Sequence, residues 1–252
     1  MINFSTKPMQ ILSFKNYEQL SGYAADFIAD SIKNKPNLVL CMASGSTPAL
    51  TCDLLVQKLK NDQIDYSKFT FLGLDEWVGL PPTNTGSCHY FFHKKIFEPL
   101  QLSSSQYFLF NAMADDLNSE CSKMDKVIAD KGGIDIMIVG IGMNGHIGFN
   151  EPGTSFAALS HVAELDEITK SVGQKYFDGP VKLEKGITIG FGHLMNTKKV
   201  FLMANGSKKA EVIKKTIEGP VTESFPASIM QKHANGFILI DEEAGTLLSK
   251  PQ

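Results

Sequence analysis

Six short aliphatic runs, each followed by a longer stretch of mixed polarity, limit what this chain can fold into. They are Leu38–Ala43 (LVLCMA), Phe69–Leu74 (FTFLGL), Ile134–Gly142 (IDIMIVGIG), Gly186–Phe191 (GITIGF), Val200–Ala204 (VFLMA) and Gly236–Asp241 (GFILID). Their hydrophobicity is nearly continuous rather than alternating, which suits strands of a parallel sheet covered on both faces. Between them, Leu20/Tyr23/Phe27 and Leu117/Cys121/Met124/Ile128 recur at helical spacing. Pro48–Lys60 and Ser207–Gly219 also predict helices, and Gly219-Pro220 stops the second. Alternating strands and helices give a three-layer α/β fold with a mostly parallel sheet and right-handed crossovers. No repeat or linker interrupts the pattern, so residues 1–252 are read as one domain.

Composition removes several classes of function. A net charge of −3 without a local Lys/Arg run gives no reason to expect nucleic acid or a membrane surface as partner. No apolar stretch approaches the roughly 20 residues that span a bilayer. The first twenty residues lack a basic segment followed by an apolar run, so no leader is expected. Cys41, Cys52, Cys88 and Cys121 lie far apart without a C-x-x-C pair, the usage of free thiols in a reducing cytoplasm.

In parallel α/β sheets, ligands bind beyond the carboxyl ends of the strands, and three loops fall there. The first is Ala43–Leu50 (ASGSTPAL), where Ser44, Ser46 and Thr47 could cap a helix and Pro48 suits its first position. Gly45 lets backbone approach a ligand, and the free N–H groups make an anion site. Taken alone, an ordinary capped helix accounts for this loop as well. It lacks the Gly-Lys-Ser/Thr ending of a nucleotide P-loop. The second loop, Gly73–Tyr90, begins with a strand running into Asp75-Glu76 and continues through a long Pro/Gly/Thr-rich stretch. One acid capping a turn is the commoner explanation of such a pair, while the length suits the wall of a site.

The third loop, Ile138–Gly153, contains Gly140-x-Gly142-x-x-Gly145, the spacing of a dinucleotide-binding turn. That motif must open a helix, and two further glycines and Pro152 within eight residues leave no room for one. Asn144, His146 and Glu151 instead make an inventory for proton transfer. His146 and Glu151 could ligate a metal, but no second His stands at i, i+4 and no Cys is near, so no metal is expected.

Together the three loops, with GSKKA at Gly206–Ala210, resemble the glucosamine-6-phosphate isomerase/deaminase family along nearly the whole chain. The resemblance implies a modified Rossmann-like sandwich acting on an amino-hexose 6-phosphate and water to give a ketohexose 6-phosphate and ammonia. It implies neither nucleotide nor metal cofactor, and leaves homo-oligomers open. By the same resemblance, His146 opens the sugar ring, with Asn144 and Glu151 positioning it, and Asp75 shuttles the C2 proton. Ser44, Gly45, Ser46 and Thr47, with Lys209, would hold the phosphate, Lys208 being the alternative if the register is off by one. Lys175 stands where many relatives carry Arg, whose bidentate fork Lys cannot form.

Two departures from the family pattern matter. Many relatives have Asp where this chain has Asn144, which removes a negative charge beside the imidazole unless Glu151 supplies it. Trp77 in LDEW, with Gly86-Ser87-Cys88, resembles the galactosamine-6-phosphate branch, giving that epimer a slight preference. The stretch Thr154–Glu167 places His161 and Ala163 where activated relatives carry an Arg-x-Lys pair, so no response to an acetylated sugar phosphate is expected. A 6-phosphogluconolactonase is the nearest alternative, set against by Trp77 and Phe149-Asn150-Glu151-Pro152. A sugar-phosphate sensor is a second alternative. It would be expected to add a DNA-binding segment and to lose Asp75 or His146.

Overall fold

In the computed structural model, which describes residues 9–249, ten strands and eight α-helices are formed among the described residues. The outer ends of the 1–252 span, and the first eight residues read above for a leader, lie outside the described residues. The strands are β1 (Gln10–Phe14), β2 (Val39–Met42), β3 (Thr70–Gly73), β4 (Asp75–Trp77), β5 (Tyr107–Phe108), β6 (Ile136–Val139), β7 (His161–Glu164), β8 (Lys185–Thr188), β9 (Lys199–Ala204) and β10 (Gly236–Asp241). The helices are α1 (Tyr17–Asn34), α2 (Ser46–Asn61), α3 (Cys88–Phe92), α4 (Glu98–Leu100), α5 (Leu117–Asp130), α6 (Glu167–Gly173), α7 (Phe191–Asn196) and α8 (Ala210–Glu218).

Seven strands form one sheet in the order β1-β10-β9-β6-β2-β3-β5, and every adjacent pair is parallel. Because side chains alternate across a strand, each central strand feeds two cores. Leu40 and Met42 point to the core covered by α1 and α2, while Val39 and Cys41 point to the one covered by α5, α7 and α8. Both faces being buried explains why the runs read as continuously apolar. From β2 the chain moves one way to β3 and β5, then returns past β2 to β6, β9 and β10. The switch of direction between β2 and β6 opens a crevice above their carboxyl ends, where ligands of such sheets bind.

One expected member of the parallel sheet lies elsewhere. Gly186–Phe191 contributes β8, the middle of a separate antiparallel sheet β4-β8-β7. Gly186, Ile187 and Thr188 are buried there too, so a continuous apolar run could not reveal which sheet it joins. β1 and β5 close the two edges of the main sheet; short, partly exposed strands carry no such run. No helix among the described residues is long and apolar enough to cross a membrane.

Candidate active site

The loops after β2, β3, β6 and β9 meet in one pocket over four neighbouring strand ends. Ser44, Gly45, Ser46, Thr47, Asp75, His146, Lys175 and Lys209 line it, together with Trp77, Thr169 and Tyr176. Asn144 and Glu151 are not among the lining residues; they contact His146, at its backbone N–H and its Nδ1 respectively.

The phosphate loop differs from its expected form in one respect. α2 starts at Ser46, two residues before the expected Pro48, and no side chain caps it. Ser44 Oγ donates to Cys88 Sγ at 3.0 Å, and Thr47 Oγ1 donates to Asn205 Oδ1 at 3.2 Å. The hydroxyls are engaged laterally, which leaves the N-terminal N–H groups of a 16-residue helix for an anion. Gly45 precedes the helix at φ +108°, a left-handed conformation that glycine adopts without a Cβ penalty. Lys209 follows the Gly206 turn, and its Nζ donates to the Ile141 carbonyl at 2.6 Å. Lys208 is exposed, so the pocket cation of this segment is Lys209. Burial, then the positive charge of Lys175, pushes the Lys209 ammonium down to about 8. Lys175 is itself exposed, its Nζ 4.8 Å from the centroid of the Tyr176 ring.

Asp75 and Glu76 point opposite ways because they are successive residues of a strand. Glu76 is buried and accepts from the backbone N–H groups of Trp77, Cys88 and His89 at 2.8–3.0 Å, so it caps the start of α3. Asp75 faces the pocket, where burial, then the neighbouring Glu76 charge, raises its carboxyl to about 7; a contact with the Cys88 thiol opposes the rise. A group that gains and loses a proton near neutrality suits general acid–base work.

In the third loop, Ile147–Asn150 closes a small bridge and no helix follows Gly145, so the dinucleotide geometry is absent. The glycine spacing has another cause. A Cβ on Gly142 would stand 2.3 Å from His146 Cε1, so the glycine leaves the imidazole its place. The Thr169 hydroxyl lies 2.9 Å from His146 Nδ1, and Glu151 Oε2 lies 3.5 Å from the same nitrogen. Asn144 ties the group together, donating from Nδ2 to Glu151 at 2.9 Å and accepting the His146 backbone N–H at 3.2 Å. Burial would raise the Glu151 carboxyl, but hydrogen bonds and charge from His146, with bonds from Thr169 and Asn144, hold it below the usual range. The carboxylate therefore supplies the negative charge that Asn144 lacks. Among the described residues, no group of three or more His, Cys, Asp or Glu gathers as a metal site.

Thr169 and Tyr176 join the site without having been singled out, and Trp77 and Cys88, expected to bear on the choice of epimer, line it as well. Thr169 comes from α6, 23 residues beyond His146, and nothing in its local sequence marks it. Trp77 packs against Phe149 with ring centroids 4.6 Å apart, so LDEW and GFNEP, the two features set against a lactonase, form one wall.

The model of the glucosamine-6-phosphate isomerase/6-phosphogluconolactonase family matches residues 15–239. The chain belongs to this family. Relatives include a glucosamine-6-phosphate deaminase of Thermoanaerobacter pseudethanolicus, 40% identical over 95% of each chain. Glucosamine-6-phosphate deaminase 1 of Bacillus subtilis is 37% identical over 95% of this chain and 99% of its own. A solved monomeric glucosamine-6-phosphate deaminase superposes with a TM-score of 0.91 at 37% identity, covering 95% of this chain and all of that one. The 6-phosphogluconolactonase of Trypanosoma brucei shares the fold at a TM-score of 0.79 but only 17% identity, covering 97% and 100%. Within the family, this member stands on the isomerase/deaminase side.

Proposed function

We propose that the chain acts as a single isomerase/deaminase domain that converts an amino-hexose 6-phosphate and water into a ketohexose 6-phosphate and ammonia. The observation that carries this reading is an anion seat at the α2 N-terminus in the same pocket as two acid–base groups, Asp75 and His146. The phosphate rests on the backbone N–H groups of the Gly45–Thr47 turn, close to Ser44, and is neutralised by Lys209 and Lys175. His146, oriented through Nδ1 by Thr169 and Glu151, moves the proton between ring oxygen and hydroxyl that opens the sugar. Asp75 then takes the C2 proton, giving an enolamine, and returns a proton to C1. The resulting ketimine is hydrolysed by water, so C2 becomes the ketone and nitrogen leaves as ammonia. No step requires a nucleotide or a metal.

Galactosamine 6-phosphate is the favoured epimer, on the ground that Trp77 and Cys88, which carry the likeness to that branch, both line the pocket. Glucosamine 6-phosphate, named in the relatives, is its competitor. Initial rates of ammonia release from both amino sugars, with 6-phosphogluconolactone hydrolysis alongside, test the reading. Lactone turnover without ammonia release overturns the activity, and a higher kcat/KM for glucosamine 6-phosphate overturns the epimer. Four free, buried thiols support the cytoplasm as compartment. A homo-oligomer is compatible with this reading, and light scattering reads the assembly directly.

A further inference from the structure

Cys88 lies between two functional loops. It is the first residue of α3, its backbone N–H is held by Glu76 Oε1 at 3.0 Å, and its side chain is 3% exposed. Its Sγ accepts from Ser44 Oγ at 3.0 Å and stands 3.6 Å from Asp75 Oδ1. Because the thiol has one proton and its sulfur already accepts from Ser44, that proton is free to point at the carboxylate. Among the described residues the thiol is the one side-chain donor on Asp75, whereas Glu76 beside it collects three backbone donors.

We propose that Cys88 is a positioning residue for Asp75: its thiol, steered by the Ser44 hydroxyl, donates to Oδ1 and holds the carboxylate toward the pocket. The contrast with Glu76 gives the physical reason. Burial raises the Glu76 carboxyl as well, but three backbone N–H donors oppose that rise, whereas Asp75 has one weak thiol donor that partly offsets its burial without abolishing proton uptake. Burial keeps Cys88 itself protonated, its thiol pushed well above the usual range by desolvation and by the charges of Glu76 and Asp75. It therefore acts as a donor and not as a nucleophile. The arrangement also connects the phosphate loop to Asp75 through two contacts, Ser44 to Cys88 and Cys88 to Asp75. Only the effect on turnover rests on the reading of Asp75 as the base.

The test titrates the Asp75 carboxyl directly in the free protein by carbon-13 NMR, with Asp75→Asn identifying its resonance. Cys88→Ala should raise the Asp75 midpoint by about half a unit to one unit, since the anion loses its donor. Cys88→Ser, whose hydroxyl is the stronger donor, should leave it at or below the wild-type position. The acid limb of the kcat/KM profile should follow the same order. An unmoved midpoint in Cys88→Ala, or equal shifts in Ala and Ser, would overturn the proposal. Should Cys88→Ala not fold, Ser44→Ala, at a half-buried loop position, carries the test with a smaller shift of the same sign. If the midpoints move as expected while Asp75→Asn still releases ammonia at the normal rate, the base assignment fails and the Cys88 contact stands.

Discussion

Replacing Asp75 by Asn should make the protein more stable at pH 8 while stopping its reaction. In the folded chain the carboxyl is raised from 3.8 to about 7, by burial first and then by Glu76. The folded state therefore binds this proton more tightly than the unfolded state, and stability falls as pH rises between those two values. Three units at 1.36 kcal/mol each set a ceiling of about 4 kcal/mol. Asp75 is only half-buried and borders an open pocket, so solvent screening brings the expected gain to about 1–2 kcal/mol. Asn is near-isosteric, carries no charge to desolvate, and its amide oxygen can still accept from Cys88. Urea unfolding of both proteins at pH 4, 6 and 8 should show curves that nearly coincide at pH 4 and separate progressively above it. Ammonia release at pH 8 should fall on the order of 10²-fold or more. A stability difference independent of pH would refute the burial argument, and near-normal turnover would refute the base.

Three further outcomes follow from the same geometry. His146→Gln should slow turnover of the closed sugar far more than exchange of the C2 proton into solvent once the ring is open; equal damage to both would dissolve the division of labour with Asp75. Lys209→Ala should raise KM more than it lowers kcat, at a cost of about 1.5–3 kcal/mol for one charge-assisted contact. Because the Lys209 ammonium is lowered to about 8, wild-type KM should also climb as pH passes that value, and a flat KM there would count against its role. N-acetylglucosamine 6-phosphate should leave the initial-rate curve unchanged, since the 154–167 segment has no Lys or Arg and Lys185 nearby is paired with Glu164 at 2.9 Å; a leftward shift would reveal an activator site built from other residues.

The layered architecture was legible in the chain because burial on both faces of a parallel strand leaves a local trace, a short unbroken apolar run. The pocket loops were legible for a related reason: glycines, acids and hydroxyls bunched at strand ends serve no packing purpose, and Asp75, His146 and the Gly45–Thr47 turn do line one cavity. Tertiary structure decided whatever depends on contacts between distant segments. Gly186–Phe191 has the same apolar signature as the central strands, and only its partners β4 and β7 place it in a second sheet. Asp75 and Glu76 are indistinguishable as a dipeptide until the pleat turns one to the pocket and the other to the α3 N-terminus. Thr169 carries no local signal, and Cys88 is marked only by its likeness to one branch of the family, because what they do lies in a hydroxyl 2.9 Å from His146 and a thiol 3.6 Å from Asp75. A sequence records which chemical groups are available along the chain, whereas proton affinities and orientations arise from neighbours that folding brings together across tens of residues.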